Sequence, residues 1–98
     1  MYYTPADATR EIRRRIEIGG MQITIHATEQ MADRDIDRND VKKCLKHGSV
    51  ISADFNAGHQ DWTYRVSRRM NLQTTLIVVV ALPDDDPINL VVTAFWEN

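Results

Sequence analysis

The spacing of hydrophobic residues divides the chain into a helical first half and a β-rich second half. Ala8, Ile12 and Ile16 recur at the spacing of one helix face, and Thr4 followed by Pro5 is typical of a helix start. We therefore predict an N-terminal helix that the following pair of glycines ends.

The next segment, "MQITIH" at residues 21–26, alternates apolar and polar side chains and predicts a short, half-buried strand. Residues 27–34 are predicted to form a short helix that closes before Ile36. Asp37 is then expected to cap a further helix whose apolar residues, at positions 41, 44 and 45, face inward.

After this helix the pattern predicts four strands arranged as two hairpins. "SVISADF" and "DWTYRVSRR" flank the turn segment "NAGHQ", and "TTLIVVVAL" and "INLVVTAFW" flank "PDDDP". The run from Leu76 to Leu82 lacks polar alternation, which is typical of a central strand covered on both faces. The strand before it has one polar side, which consists of the alternate residues Thr63, Arg65, Ser67 and Arg69.

The resulting order, α-β-α-α-β-β-β-β, indicates an α+β fold. We expect the N-terminal helices to pack on one face of a mainly antiparallel sheet of four to five strands. A chain of 98 residues with 43% hydrophobic and 27% charged residues suits a single domain spanning residues 1–98.

Composition narrows the classes of function. The net charge of −2 argues against a general nucleic-acid binder. The sequence has no apolar run near the roughly 20 residues that cross a bilayer, so we expect no membrane association and a cytoplasmic location. Cys44 has no second cysteine to pair with, and the histidines at positions 26, 47 and 59 include no short helical pair. We therefore predict neither a metal site nor a cofactor.

Basic residues form two clusters despite the acidic net charge. The first is a row from Arg10 to Arg15, and the second contains Arg65, Arg68 and Arg69. Such a row has two interpretations, a solvated helix face or a strip that binds RNA or a partner protein.

The stretch "IHATEQMADRDIDRNDVKKCLKHG" resembles the opening of domain-of-unknown-function family 4258. That family has a strand, a His-Ala pair, a short helix with arginines, Arg-Gly-Ile, and an acid-capped helix beginning near Asp-Val. Its later strands fit "YRV" and "VVTAFW", so the resemblance covers about two-thirds of the chain. Gln30 and Asp35 depart from the pattern, because the family often has arginine and glycine there. The matching residues are His26, Ala27, Met31, Arg34, Ile36, Asp40 and Val41.

That family is similar to the RelE-like ribonuclease toxins. The resemblance implies a RelE-like fold in which basic and hydroxyl-bearing residues on an exposed sheet face cleave RNA without a metal. It also implies that RNA and an antitoxin protein are the partners.

Cleavage of RNA without a metal needs a base for the ribose 2′-hydroxyl and cations for the charge that builds on phosphorus. We assign His26 as the candidate base, and Arg34 and Arg65 as candidate phosphate ligands. Arg34 is included because it lies two helical turns beyond His26. We expect these three residues to share one concavity. The candidate substrate-binding residues are Tyr64, for base stacking, and Arg68, Arg69 and Thr93.

Each of these assignments has a structural alternative. His26 at a strand-to-helix junction can bond to the exposed backbone groups there, Arg34 can pair with Asp37, and Thr93 can satisfy a backbone group. The leading hypothesis is a metal-independent RNA endonuclease, the toxin of a toxin–antitoxin pair. The alternative is a catalytically inactive protein-interaction module of the same fold.

Overall fold

The computed structural model describes residues 1–58 and 60–97. His59, one of the three histidines considered above, lies outside the described residues. In the part of the chain that the structure describes, no helix is both long enough and apolar enough to cross a membrane.

The first helix, α1 (Pro5–Glu17), forms where the apolar spacing predicts it. The Thr4 side chain caps the helix by accepting a hydrogen bond from the Asp7 N–H. Gly19 follows with φ of +80°, a conformation that glycine adopts without strain. The buried face of α1 consists of Ala8, Ile12, Arg15 and Ile16.

The first strand and the second helix differ from the prediction. Strand β1 (Met21–Ile23) is shorter than predicted, and helix α2 (Ile25–Asp33) begins two residues earlier. The reason is Thr24, whose side chain accepts a hydrogen bond from the Ala27 N–H and so starts the helix inside the predicted strand. His26 therefore lies in the first turn of α2, and Ile25, expected to be half-buried, is 81% exposed.

The third helix, α3 (Arg38–His47), follows the prediction closely. Asp37 and Asp40 form a reciprocal capping box at its start. Its inward residues Val41, Cys44 and Leu45 are fully buried. Burial raises the pKa of the Cys44 thiol to about 12, so this cysteine is not a reactive nucleophile.

Four strands complete the fold: β2 (Ser49–Asn56), β3 (Asp61–Arg69), β4 (Thr75–Ala81) and β5 (Asn89–Glu97). The sheet order is β1-β5-β4-β3-β2, in which β1 pairs parallel to β5 and the other neighbours pair antiparallel. The predicted α+β class with a mainly antiparallel sheet is confirmed. Strand β1 was predicted, but its parallel pairing with β5 was not, because the hairpin pattern gives no information on it.

The two faces of the sheet have different surroundings. Helices α1 and α3 pack on one face, against Tyr64, Val66, Leu76, Val78, Val80 and Ala94 among others. We call the other side the open face. Its side chains come from the alternate positions of the same strands. They include Thr63, Arg65, Ser67, Arg69, Ile77, Val79, Ala81, Leu90, Thr93 and Phe95.

Candidate functional site

A chain of hydrogen bonds connects helix α2 with the open face. The Thr93 hydroxyl on β5 donates to the side-chain oxygen of Gln30, and the Gln30 nitrogen lies 2.9 Å from Nε2 of His26. His26 itself is exposed, whereas Gln30 and Thr93 are half-buried. The three residues therefore form one unit that holds the imidazole at the border of the open face.

The orientation of the Gln30 amide and the tautomer of His26 are coupled. With its oxygen facing Thr93, the amide donates an N–H to Nε2, so neutral His26 holds its proton on Nδ1. A hydroxyl both donates and accepts, so the amide can reverse without losing either hydrogen bond. In the reversed orientation, the Gln30 oxygen accepts from a protonated Nε2 and Nδ1 becomes the basic nitrogen.

Arg65 lies on the same row of the open face as this unit. On β3 it pairs with Val79 of β4, and Val79 pairs in turn with Thr93 of β5. Two strand spacings separate the Cα atoms of Arg65 and Thr93, which amounts to about 10 Å. His26 and Arg65 thus border one shallow surface, which is the part of the predicted concavity that the structure brings together.

The Arg65 guanidinium is only weakly held. Its Nε lies 3.8 Å from an oxygen of Asp54, and both side chains are about half exposed or more, at 48% and 66%. Its central carbon sits 5.8 Å from the centre of the Phe95 ring. Exposed ion pairs of this kind contribute about 0.2–1 kcal/mol, so an incoming anion can displace Asp54.

Arg34, also a predicted phosphate ligand, occupies a different place. Strand β1 pairs only with residues 89–91 of β5, so the β5 edge beyond them lacks a strand partner there. Arg34 donates from Nη1 to the carbonyl oxygen of Ala94 on that edge at 2.8 Å, and the Trp96 indole donates back to the Arg34 carbonyl at 2.8 Å. Within the described residues, no ion pair joins Arg34 to Asp37. The Arg34 guanidinium thus contacts the strand edge and is not directed across the open face.

Tyr64 and Arg68 require a correction, because strand alternation turns both toward the helices. Tyr64 is only 1% exposed, and its hydroxyl accepts a hydrogen bond from the Tyr3 N–H at 2.8 Å. Burial also raises the pKa of Tyr64. A nucleobase cannot stack on a ring in this position. Arg68 is half-buried on the same face, beside Leu76, and is likewise separate from the open face.

Arg69 does lie on the open face, but its guanidinium is directed at the turn after β3. Its Nη2 donates to the Leu72 carbonyl at 2.6 Å, and its Nε donates to the Asn71 carbonyl at 3.3 Å. Arg69 therefore stabilises the turn between β3 and β4. Of the predicted substrate-binding residues, only Thr93 belongs to the row that contains His26 and Arg65.

The arginines of α1 are engaged within the protein. Arg15 is 4% exposed and donates to Glu11 at 2.6 Å and to the Ile88 carbonyl at 2.8 Å, while Arg14 also binds Glu11. Arg13 donates to the Gly48 carbonyl at 2.8 Å, and Arg10 pairs with Asp7. The row from Arg10 to Arg15 is thus neither a simple solvated face nor a free basic strip. It joins α1 to the segments before β2 and β5.

A cleft of about 310 Å³ lies on the open face beside the row that contains His26 and Arg65. Its apolar lining consists of Ala81, Pro83, Leu90 and Val92. Its polar lining consists of Thr24, Asn56, Asp61 and Thr63. Thr24 is the cap of α2, so the cleft begins next to the helical turn that carries His26.

Sequence reasoning missed both Gln30 and Asp61. The spacing of His26 and Gln30 is i,i+4, which places the two side chains on one helix face and is a usable signal. Asp61 has no such signal, because only the folded hairpin brings it next to residues of β4 and β5. Among the described residues, no group of three or more histidine, cysteine, aspartate or glutamate side chains is arranged to hold a metal ion.

The comparisons with known proteins identify one family. The model of a domain of unknown function, DUF4258, matches residues 23–96, from the last residue of β1 to all but the last residue of β5. Searches of the curated proteins and of the solved structures found no match.

Proposed function

The chain belongs to the DUF4258 family, and we propose that it is a metal-independent RNA endonuclease whose site is the row from His26 to Arg65 on the open face. The observation that carries the proposal is the Thr93–Gln30–His26 hydrogen-bond chain, which holds an imidazole at the border of the surface that also has an exposed guanidinium. The RelE-like resemblance supports the same reaction class and a role as the toxin of a toxin–antitoxin pair.

In this reaction His26 removes the proton from a ribose 2′-hydroxyl. The 2′-oxygen then attacks the adjacent phosphorus, the bond from phosphorus to the 5′-oxygen breaks, and the leaving oxygen takes a proton from water. The products are a 2′,3′-cyclic phosphate and a free 5′-hydroxyl. Arg65 balances the negative charge that grows on the phosphate oxygens, after the phosphate has displaced Asp54.

Gln30 has a positioning role in this scheme. With the amide reversed, its oxygen accepts from Nε2 of His26 and leaves Nδ1 free to take the substrate proton. The same contact orients the imidazole, while Thr93 holds the amide from the other side. The unit thus resembles other base–orienter pairs, in which a third group fixes the imidazole.

The test compares His26→Ala with a matched control, His47→Ala, whose histidine is exposed in the last turn of α3. Both variants and the wild-type chain are incubated with single-stranded RNA in the presence of a metal chelator. We expect His26→Ala to cleave about 10²- to 10⁴-fold more slowly, the usual contribution of a general base, and the control to match the wild type. A wild-type chain that forms no cyclic phosphate, or a His26→Ala variant within a few-fold of it, would refute the proposal.

The second candidate function is a catalytically inactive protein-interaction module, and one observation favours it. Carboxylates of Asp54 and Asp61 border the open face and repel phosphate, and Asp54 already partners Arg65. On this hypothesis the wild-type chain shows neither cleavage nor salt-dependent binding of RNA. It would instead bind a protein partner through the open face, and Arg65→Ala would weaken that complex.

A further inference from the structure

The cleft beside the row contains a specific combination of side chains. Its apolar surface comes from Ala81, Pro83, Leu90 and Val92. Asp61 supplies a carboxylate to the lining, and Thr63 supplies a hydroxyl. Such a site, apolar with a few fixed polar groups, is typical of small-ligand binding.

The Asp61 carboxylate is held in place before any ligand binds. Its Oδ1 accepts a hydrogen bond from the Trp62 backbone N–H at 2.8 Å, and the side chain is half-buried. An ionised carboxylate only accepts hydrogen bonds, so it selects ligand edges that carry N–H donors. The remaining lone pairs of its two oxygens suit two donors that lie side by side.

The cleft lies next to the proposed reaction site. Thr63 lies two residues from Arg65 on the same face of β3, a distance of about 7 Å along the strand. On the other side, Thr24 precedes His26 by two residues at the start of α2. A nucleotide whose base enters the cleft therefore directs its ribose and phosphate toward the row.

We propose that this cleft binds the guanine base of the RNA substrate, with Asp61 accepting hydrogen bonds from N1–H and the N2 amino group. This inference rests on the proposed RNA endonuclease function and specifies its substrate. Guanine is the base with two adjacent N–H donors on one edge. Adenine and cytosine place a ring acceptor beside their amino group, and uracil flanks its single N–H with two carbonyl oxygens. Each of these three bases would turn a lone pair toward the carboxylate.

The experiment measures binding of the four nucleoside 3′-monophosphates to the wild-type chain by NMR titration. These nucleotides have no bond from phosphorus to a 5′-oxygen, so binding is measured without cleavage. We expect the guanine nucleotide to bind between about 5-fold and 100-fold more tightly than the others, which is the usual discrimination of a two-bond base contact. Shifted resonances should include those of Thr63 and Leu90, which line the cleft.

Asp61→Asn is the decisive variant, and Asp33→Asn is its control. Asparagine retains an oxygen for the Trp62 N–H but presents an N–H₂ group or a single acceptor to the base, so the preference for guanine should be lost. Asp33 is an exposed carboxylate at the far end of α2, and its variant should keep the preference. Ala81→Leu, which fills the cleft from β4, should abolish nucleotide binding there.

The outcomes separate this inference from the proposed function. Cleavage of RNA without preference for guanine, or equal binding of all four nucleotides, would overturn the guanine site while leaving the endonuclease intact. Retention of guanine preference in Asp61→Asn would also overturn it. Preferential guanine binding by a chain that cannot cleave RNA would support the cleft and refute the endonuclease.

Discussion

Replacing Arg34 with methionine tests whether this arginine serves the fold or the chemistry. Methionine keeps most of the aliphatic stem but removes the guanidinium, which donates to the Ala94 carbonyl at 2.8 Å. Ala94 is fully buried, and its carbonyl lies where β5 no longer has β1 as a neighbour. The Trp96 bond to the Arg34 backbone can remain, because it does not use the side chain.

The expected loss of stability follows from this one contact. Hydrogen bonds to charged groups contribute about 1.5–3 kcal/mol, but Arg34 is an exposed residue, so water can replace part of the bond. We expect the free energy of unfolding to fall by about 1–2 kcal/mol. For a chain of this size each kcal/mol shifts the unfolding midpoint by about 4–8 °C, so the midpoint should fall by about 5–15 °C.

Thermal unfolding followed by circular dichroism at neutral pH measures this shift, and RNA cleavage is assayed well below the lower midpoint. The matched control is Lys43→Met, the same kind of change at an exposed position on α3, which should stay within about 0.5 kcal/mol of the wild type. If Arg34 serves the fold, the folded variant cleaves RNA within a few-fold of the wild-type rate. An unchanged midpoint combined with a loss of cleavage by orders of magnitude would show that the guanidinium acts on the phosphate, contrary to our reasoning.

Two further predictions concern α1 and the Thr93–Gln30–His26 unit. Hydrogen bonds from Arg14, and then from Arg15, lower the pKa of Glu11 from 4.5 to about 2, so its stabilising effect is complete above pH 4.5 and is lost as the pH falls toward 2. In urea unfolding at pH 7, Glu11→Gln should be less stable than the wild type by about 1–2 kcal/mol after allowance for solvent screening, and this difference should vanish near pH 2. A variant as stable as the wild type at both pH values would contradict this prediction. Gln30→Leu should slow cleavage about 5- to 10-fold and alter the ¹⁵N shifts of the His26 ring, whereas unchanged ring shifts would show that the amide does not contact the imidazole in solution.

Local sequence signals were sufficient for α1, α3 and the class of fold. The Asp37 capping box and the helical spacing of apolar residues act within a few positions, so the sequence reveals them directly. The end of β1 was misplaced because Ile23 and Ile25 alternate as in a strand, while the competing signal is a single Thr24 cap without a glutamate or glutamine three residues later.

The site was only partly predictable for a similar reason. The alternation that places Thr63 and Arg65 on one face also places Tyr64 on the other, so strand parity alone argues against a base-stacking role for Tyr64. Arg34 could not be assigned in this way. Its contact depends on where β1 stops along β5, and that parallel pairing joins segments more than sixty residues apart.

A backbone irregularity in β5 explains why Thr93 reaches the open face at all. Val80 pairs with Val91 but Val79 pairs with Thr93, so Val92 is an extra residue, a β-bulge. In a regular strand with Val91 facing the helices, Thr93 would also face them, and Gln30 would have no hydroxyl to bind. Beyond the bulge, each residue of β5 faces the opposite side of the sheet from the one it would face in a regular strand. The bulge also places Val92 in the wall of the cleft. Since "LVVTAFW" shows no polar alternation, the bulge has no signature in the hydrophobic pattern. The candidate base, its amide partner and the cleft therefore all depend on one inserted residue in the strand next to α2.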